Sequence, residues 1–252
     1  MQFFTFFTGL VLCGFILSFA EIETKVVQYE VNQEEVSAYL AAPKQEGNKK
    51  FPAILMIHEW WGLNPWIKAN ADKFAQEGYV VLALDLYRGK VAPSSIIAHE
   101  LMRGLPEDQV SHDIKVAFDY LAELTPVDKK KIGVIGWCMG GGYALKAVTE
   151  IPSFAACVFC YGRLITDGEK LAEIRCPVLA IFGREDRGIA EKDVLEFEKN
   201  MKRLRRKITM EMYDQAGHAF MNPSNSEGYR PDQTDDAWKK IGLFLETQLK
   251  QK

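Results

Sequence analysis

The sequence predicts an α/β fold, a mostly parallel sheet with helices on both faces, and three observations carry that prediction. Continuous apolar runs such as AILMI, YVVLAL and GVIG have the character of strands covered on both sides. Segments of helical periodicity alternate with those runs, as βαβ units require. No repeat, linker or low-complexity tract interrupts the pattern, so one domain is expected from residue 21 to residue 252. Its 252 residues are 48% apolar and 26% charged, enough to bury a large core without help from disulfides or metal.

The first twenty residues stand apart. Phe3 to Phe19 carries no charged side chain, and Ser18 and Ala20 supply small residues at −3 and −1 before Glu21. Residues 1–20 are therefore expected to be a secretory signal peptide, giving a periplasmic or secreted protein. No Lys or Arg precedes the run, which leaves an uncleaved membrane anchor as the alternative.

From Lys25 to Ala42, alternation in VVQYEV and VSAYLAAP predicts an antiparallel pair at the sheet edge. AILMIHEWWG opens as a buried strand. IKANADKFAQEG follows as a helix with Gly78 at its end. YVVLALDLY is the next strand. Residues 94–103 and SHDIKVAFDYLAEL read as helices, the second with Ser111 as N-cap. KIGVIGW, FAACVFCYG, CPVLAIFG and KITMEMYD continue as strands. Helices are expected at GGGYALKAVTE, at residues 191–204 and at TDDAWKKIGLFLETQL. The basic run at residues 202–207 reads as a solvated helix end.

Cys138 lies at the centre of Gly136-Trp137-Cys138-Met139-Gly140, between a strand and a helix. A strand, then glycine-x-nucleophile-x-glycine, then a helix is the nucleophile elbow of an α/β-hydrolase fold. The glycines permit the sharp turn, and the helix N-terminus favours a thiolate there. Chain order in that fold runs nucleophile, acid, histidine. Downstream, the loop after AIFG carries Glu185 and Asp186, with Asp186 preferred because it directly precedes Arg187-Gly188. His218 is the only one of the four histidines beyond the elbow. His58-Glu59 could suggest zinc, but Gly62 stands where a second histidine would be needed, so no metal is expected. The loop after that strand instead nominates the Trp60 backbone N–H, with that of Met139, as an oxyanion hole.

HEWWG, LDLYRG, GWCMGGGYA, GREDRGIA and GHAFMNP together resemble the dienelactone hydrolase (carboxymethylenebutenolidase) family over nearly the whole chain past residue 20. The resemblance implies a Cys138–Asp186–His218 triad acting on activated esters or enol-lactones without a cofactor. It further implies that Glu59 controls the protonation of Cys138 and that Arg88 clamps a substrate carboxylate. It also makes Trp61 and Asn222 candidate substrate-binding residues, with Asn222 standing where dienelactone-cleaving members carry a second arginine, which places that substrate in doubt. Trp60, Trp61 and Trp66 lie near the site in sequence and fit either an aromatic acyl pocket or core packing.

Net charge is −3, so neither nucleic acid nor an anionic membrane surface is expected as a partner. Of five cysteines, Cys157, Cys160 and Cys176 are expected as buried, inert thiols. A redox-responsive thiol and a non-catalytic binding module on the same fold remain the rival readings.

Overall fold

The computed structural model describes residues 21–45 and 47–251. The expected leader at residues 1–20 lies outside that range. Eight strands form one sheet: β1 (Ile22–Val31), β2 (Glu34–Pro43), β3 (Phe51–Ile57), β4 (Val80–Leu84), β5 (Val127–Trp137), β6 (Ala156–Cys160), β7 (Val178–Gly183) and β8 (Ile208–Tyr213). Their spatial order is β1-β2-β4-β3-β5-β6-β7-β8. β2 pairs antiparallel with both of its neighbours, and every pairing from β4 to β8 is parallel. The expected edge pair is β1 and β2, and the predicted mostly parallel sheet is the one observed.

Seven helices cover it: α1 (Pro65–Gln76), α2 (Ser95–Arg103), α3 (Glu107–Glu123), α4 (Met139–Glu150), α5 (Gly168–Ala172), α6 (Glu191–Arg203) and α7 (Pro231–Leu245), the last running into a π-helical turn, Glu246–Lys250. Every residue of β4, β6 and β7 is buried, which is why these strands read as unbroken apolar runs rather than as alternation. Among the described residues no helix is long and apolar enough to cross a membrane.

Two helix starts differ from the sequence reading. α3 begins at Glu107, and Ser111 sits inside it with its hydroxyl buried and unpaired rather than capping. Pro106 blocks further extension, while Glu107 and Asp108 in the first turn suit the helix dipole. α7 begins at Pro231, a residue fitted to a first helical turn, instead of at Thr234. The Thr234 hydroxyl is buried and donates to the Phe220 carbonyl at 3.0 Å, fastening α7 to the loop after β8.

Because β3 to β8 run parallel, their carboxyl ends share one edge of the sheet. The turns after β3, β5, β6, β7 and β8 carry Glu59, Cys138, Tyr161, Asp186 and His218 respectively. Clefts at this edge are where open α/β sheets bind ligands.

Candidate active site

Cys138 follows β5 directly and immediately precedes α4, with φ 54° and ψ −119°. Such a conformation is strained for a non-glycine residue and persists only where its surroundings enforce it. They do so through contacts that admit no bulk. A Cβ at Gly136 would lie 2.1 Å from the Gly140 carbonyl oxygen, and one at Gly140 would lie 2.3 Å from that of Ile57. The Cys138 N–H donates to the Cys160 carbonyl at 3.0 Å, holding the turn to β6. Its sulfur is left half-exposed at the N-terminus of α4.

Against it stands His218, with Nε2 3.1 Å from Sγ. On the other side of the ring, Nδ1 lies 2.7 Å from Oδ2 of Asp186. The second oxygen of Asp186 accepts from the N–H groups of Gly188 and Ile189 at 2.8 and 3.1 Å, which fixes the carboxylate toward the imidazole. Burial opposes ionisation of Asp186, but the His218 hydrogen bond and those amides outweigh it and hold its pKa below the ordinary value. Burial also opposes the charged form of His218. The hydrogen bonds to Asp186 and Cys138, with their charges, prevail and push its pKa up to about 10. Asp186, rather than the exposed Glu185, is the carboxylate brought to the ring.

Glu59 is 1% exposed, and burial pushes its carboxyl up to about 7. Asn222, His218 and Tyr161 each pull it back down, though not enough to restore an ordinary value. Asn222 Nδ2 donates to Glu59 Oε2 at 2.5 Å, and Asn222 Oδ1 accepts from the Ser224 N–H at 2.9 Å, which fixes the amide's orientation. Asn222 was expected as a substrate-contacting residue. Its donor is instead spent on Glu59. The Tyr161 hydroxyl faces the same carboxyl closely enough to favour its charged form, although neither Tyr161 Oη nor Glu59 Oε1 makes a hydrogen bond of ordinary geometry. Tyr161 was missed by the sequence reading, although CYG at the end of a central strand marks this edge. Its ring also meets that of His218 edge-on at 5.4 Å, from a backbone with φ 39°.

His58 is not a metal-ligand remnant but a pin. Its Nδ1 donates to the Glu59 carbonyl at 2.5 Å and its Nε2 accepts from the Leu86 N–H at 3.2 Å, an arrangement that fits only the neutral ring. Burial likewise lowers its pKa. The pin holds the loop carrying Trp60. Neither the Trp60 nor the Met139 N–H donates to another described residue.

Arg88 is placed elsewhere. Its guanidinium makes a bidentate pair with Asp113 of α3, at 2.8 and 3.0 Å, and also meets Glu34 at 3.3 Å. Asp85 sets this up by accepting from the N–H groups of Tyr87 and Gly89. Positive φ at Arg88 and Gly89 then turns the chain toward α3. Arg88 lines a separate cleft with Asp108 and His112, not the space around Cys138, so the expected carboxylate clamp is corrected to a structural ion pair. Trp66 is also absent from the site, because it packs edge-on against Trp137 at 5.4 Å. Trp60 and Trp61 do border the site.

Two cavities flank the thiol, and Cys138, His218 and Met102 border both. One, of about 500 Å³, is walled largely by Met139, Leu164, Ile165, Ile189 and Phe197. The other, of about 490 Å³, is more polar, with Glu59, Asn222, Ser224, Asn225 and Glu227. Cys157, Cys160 and Cys176 are free and buried, as expected.

Comparison with known proteins agrees with this fold. A model of the dienelactone hydrolase family matches residues 36–249. The chain is 32% identical over 232 residues to "Protein usf" of Aquifex pyrophilus, covering 89% of this chain and 99% of that one. It is 30% identical to "Putative carboxymethylenebutenolidase" of Aquifex aeolicus, covering 90% and 99%. Among solved structures, the dienelactone hydrolase-like promiscuous phosphotriesterase P91 from metagenomic libraries superposes with a TM-score of 0.83 at 18% identity, covering 90% of this chain and 98% of that one. The α/β-hydrolase sheet and the family match over most of its length lead to one conclusion: the chain belongs to the dienelactone hydrolase family and is a hydrolase.

Proposed function

We propose that the protein hydrolyses carboxylic esters or lactones through a Cys138 nucleophile, with His218 as proton carrier and Asp186 as the carboxylate that orients it. The observation that carries this reading is the continuous chain of contacts, 3.1 Å from sulfur to imidazole and 2.7 Å from imidazole to Asp186, built on a strained elbow. His218 takes the thiol proton and the thiolate attacks the ester carbonyl carbon. The tetrahedral oxyanion is met by the Trp60 and Met139 N–H groups. Donors of this kind are worth about 3–4 kcal/mol each in comparable sites. The carbon–oxygen bond to the alcohol then breaks, His218 delivers its proton to the departing alkoxide, and a thioester remains. Water attacks that thioester while giving a proton to His218. The acid leaves and the sulfur is released as thiolate.

Glu59 is the buried group nearest to needing a proton at neutral pH, and its place beside His218 suits it to setting the charge around the sulfur. Export through a leader at residues 1–20 belongs to the same proposal. N-terminal sequencing of the mature protein tests it, with Glu21 the expected first residue.

The functional test is turnover of an activated aryl ester by the parent and by Cys138→Ala. Loss of at least about a thousandfold in kcat/KM is expected. Intact-mass spectrometry of the parent during turnover should also show an acyl adduct on Cys138. Unchanged turnover in the variant refutes the assignment.

A further inference from the structure

We infer that the protein's preferred substrates are uncharged esters with an extended apolar acyl arm, rather than carboxylate-bearing lactones. This inference rests on the Cys138 reading above and assigns the acyl arm to the cavity walled by Leu164, Ile165, Ile189 and Phe197.

Charge is the first argument. A carboxylate-bearing substrate needs a cation near the reacting carbon, and the side chains expected to receive it are committed elsewhere. Arg88 is bound to Asp113 and lies in a different cleft. Asn222 is neutral and holds Glu59. Besides the catalytic His218, the cationic side chain bordering the apolar cavity is Arg163, whose side chain is 86% exposed and already meets Glu107 at 3.3 Å. Asp193 and Glu196 of α6 border that cavity too and offset both cations, so the wall holds no surplus positive charge to clamp an anion. A charge without a partner at such a site costs binding rather than adding to it.

Shape and polarity supply the second argument. The apolar cavity does not end behind the thiol. It adjoins a further cleft of about 520 Å³ across Met102, Met139, Leu164 and Ile165, where Arg163, Lys146, Lys170, Glu107 and Asp167 make the far end charged. An arm leaving the Cys138 thioester therefore has its apolar path inside the first cavity, whose roughly 500 Å³ exceeds what a compact lactone ring would fill. On the opposite side of the sulfur, Ser224, Asn225, Ser226 and Glu227 offer a polar exit. That side suits a departing alcohol, which must receive a proton from His218 and return to water. The two halves of an ester thus have unlike destinations, and the acyl half takes the apolar one.

The test is kcat/KM for p-nitrophenyl acetate, butyrate, hexanoate and octanoate, together with p-nitrophenyl hemisuccinate. Parent, Ile165→Trp, Arg163→Ala and Cys138→Ala are compared. Each methylene moved into an apolar site favours binding by about three- to fourfold, so the four added from acetate to hexanoate should give a rise on the order of 100-fold. Ile165→Trp, at a half-buried loop position in that wall, should remove most of that rise, so that its ratio of hexanoate to acetate kcat/KM falls toward one. Hemisuccinate should fall below butyrate, with no change in that ratio in Arg163→Ala. A flat chain-length profile with turnover still dependent on Cys138 overturns the inference and leaves the thiol reading standing. So does a hemisuccinate advantage that disappears in Arg163→Ala. Turnover that survives in Cys138→Ala overturns both.

Discussion

Replacing Glu59 with glutamine isolates the cost of burying one carboxyl. The parent side chain is 1% exposed, accepts a single hydrogen bond from Asn222, and leaves Oε1 unpaired opposite the unpaired Tyr161 hydroxyl. Glutamine has the same shape without the charge. Its carbonyl can accept from Asn222, and its amide can donate to Tyr161, so both orphaned atoms gain a partner. Glu59 ionises near 7 when folded and near its ordinary 4.5 when unfolded, so the folded state holds the extra proton between those values. Stability attributable to this residue is therefore highest below 4.5 and falls as pH rises through 7. Between pH 5 and pH 8 the parent should lose roughly 2–3 kcal/mol relative to Glu59→Gln. Urea unfolding of both proteins across that range measures the difference directly. At an m-value of about 3 kcal/mol/M, the midpoints should diverge by roughly 0.8 M. Other titrations, including that of His58, which disfavours the fold as pH drops below 6.5, occur in both proteins and cancel. Parallel stability curves would mean that Glu59 is already ionised at pH 5, and the account of this buried carboxyl would be refuted.

Arg88→Met should destabilise the protein by about 3–5 kcal/mol, because Asp113, 3% exposed, is left as an uncompensated buried charge. Adding Asp113→Leu should recover most of that loss in thermal or urea unfolding. Neither change should alter the ratio of KM for acidic and neutral esters, and a selective rise for acidic ones would restore Arg88 to substrate binding. Gly140→Ala should cost at least about 2 kcal/mol and nearly all turnover. The added methyl would meet the Ile57 and His58 carbonyl oxygens at 2.3 and 2.5 Å, both of them backbone. A soluble, fully active Gly140→Ala would refute the tight elbow.

What the sequence reveals and what it hides follow from how far each interaction reaches. Buried strands announce themselves because both faces are covered, so each apolar run is locally complete. The elbow is legible because Gly136, Cys138 and Gly140 lie within five residues and the steric demand is local. Asp186 and His218 are legible through chain order at strand ends. The Arg88 ion pair and the Asn222 bond to Glu59 are hidden from the sequence because their partners are set by the tertiary structure alone. Asp113 is 25 residues from Arg88 and lies in a helix, and Glu59 is 163 residues from Asn222. Ser111 looked like a cap because a serine before an apolar period usually is one. Pro106 and two acidic residues set the helix start earlier.

The residue at position 222 ties these threads together. An arginine there would set a full positive charge beside Glu59, favour the carboxylate and hold its pKa low. A neutral amide offers one hydrogen bond, and burial prevails, so the carboxyl can carry a proton at neutral pH. An arginine there would also place a cation in the wall of the polar cavity, where it could meet an acidic substrate, and the neutral amide of Asn222 does not. One side chain therefore acts on both the protonation of the group beside His218 and the charge the site can accept. With Arg88 tied to Asp113 as well, the cation close to Cys138 is the catalytic His218 itself, and Arg163 at the solvent edge is already engaged by Glu107. The proposed preference for uncharged substrates and the raised Glu59 pKa would then both follow from one neutral side chain. They should change together in any variant that returns a positive charge to this wall.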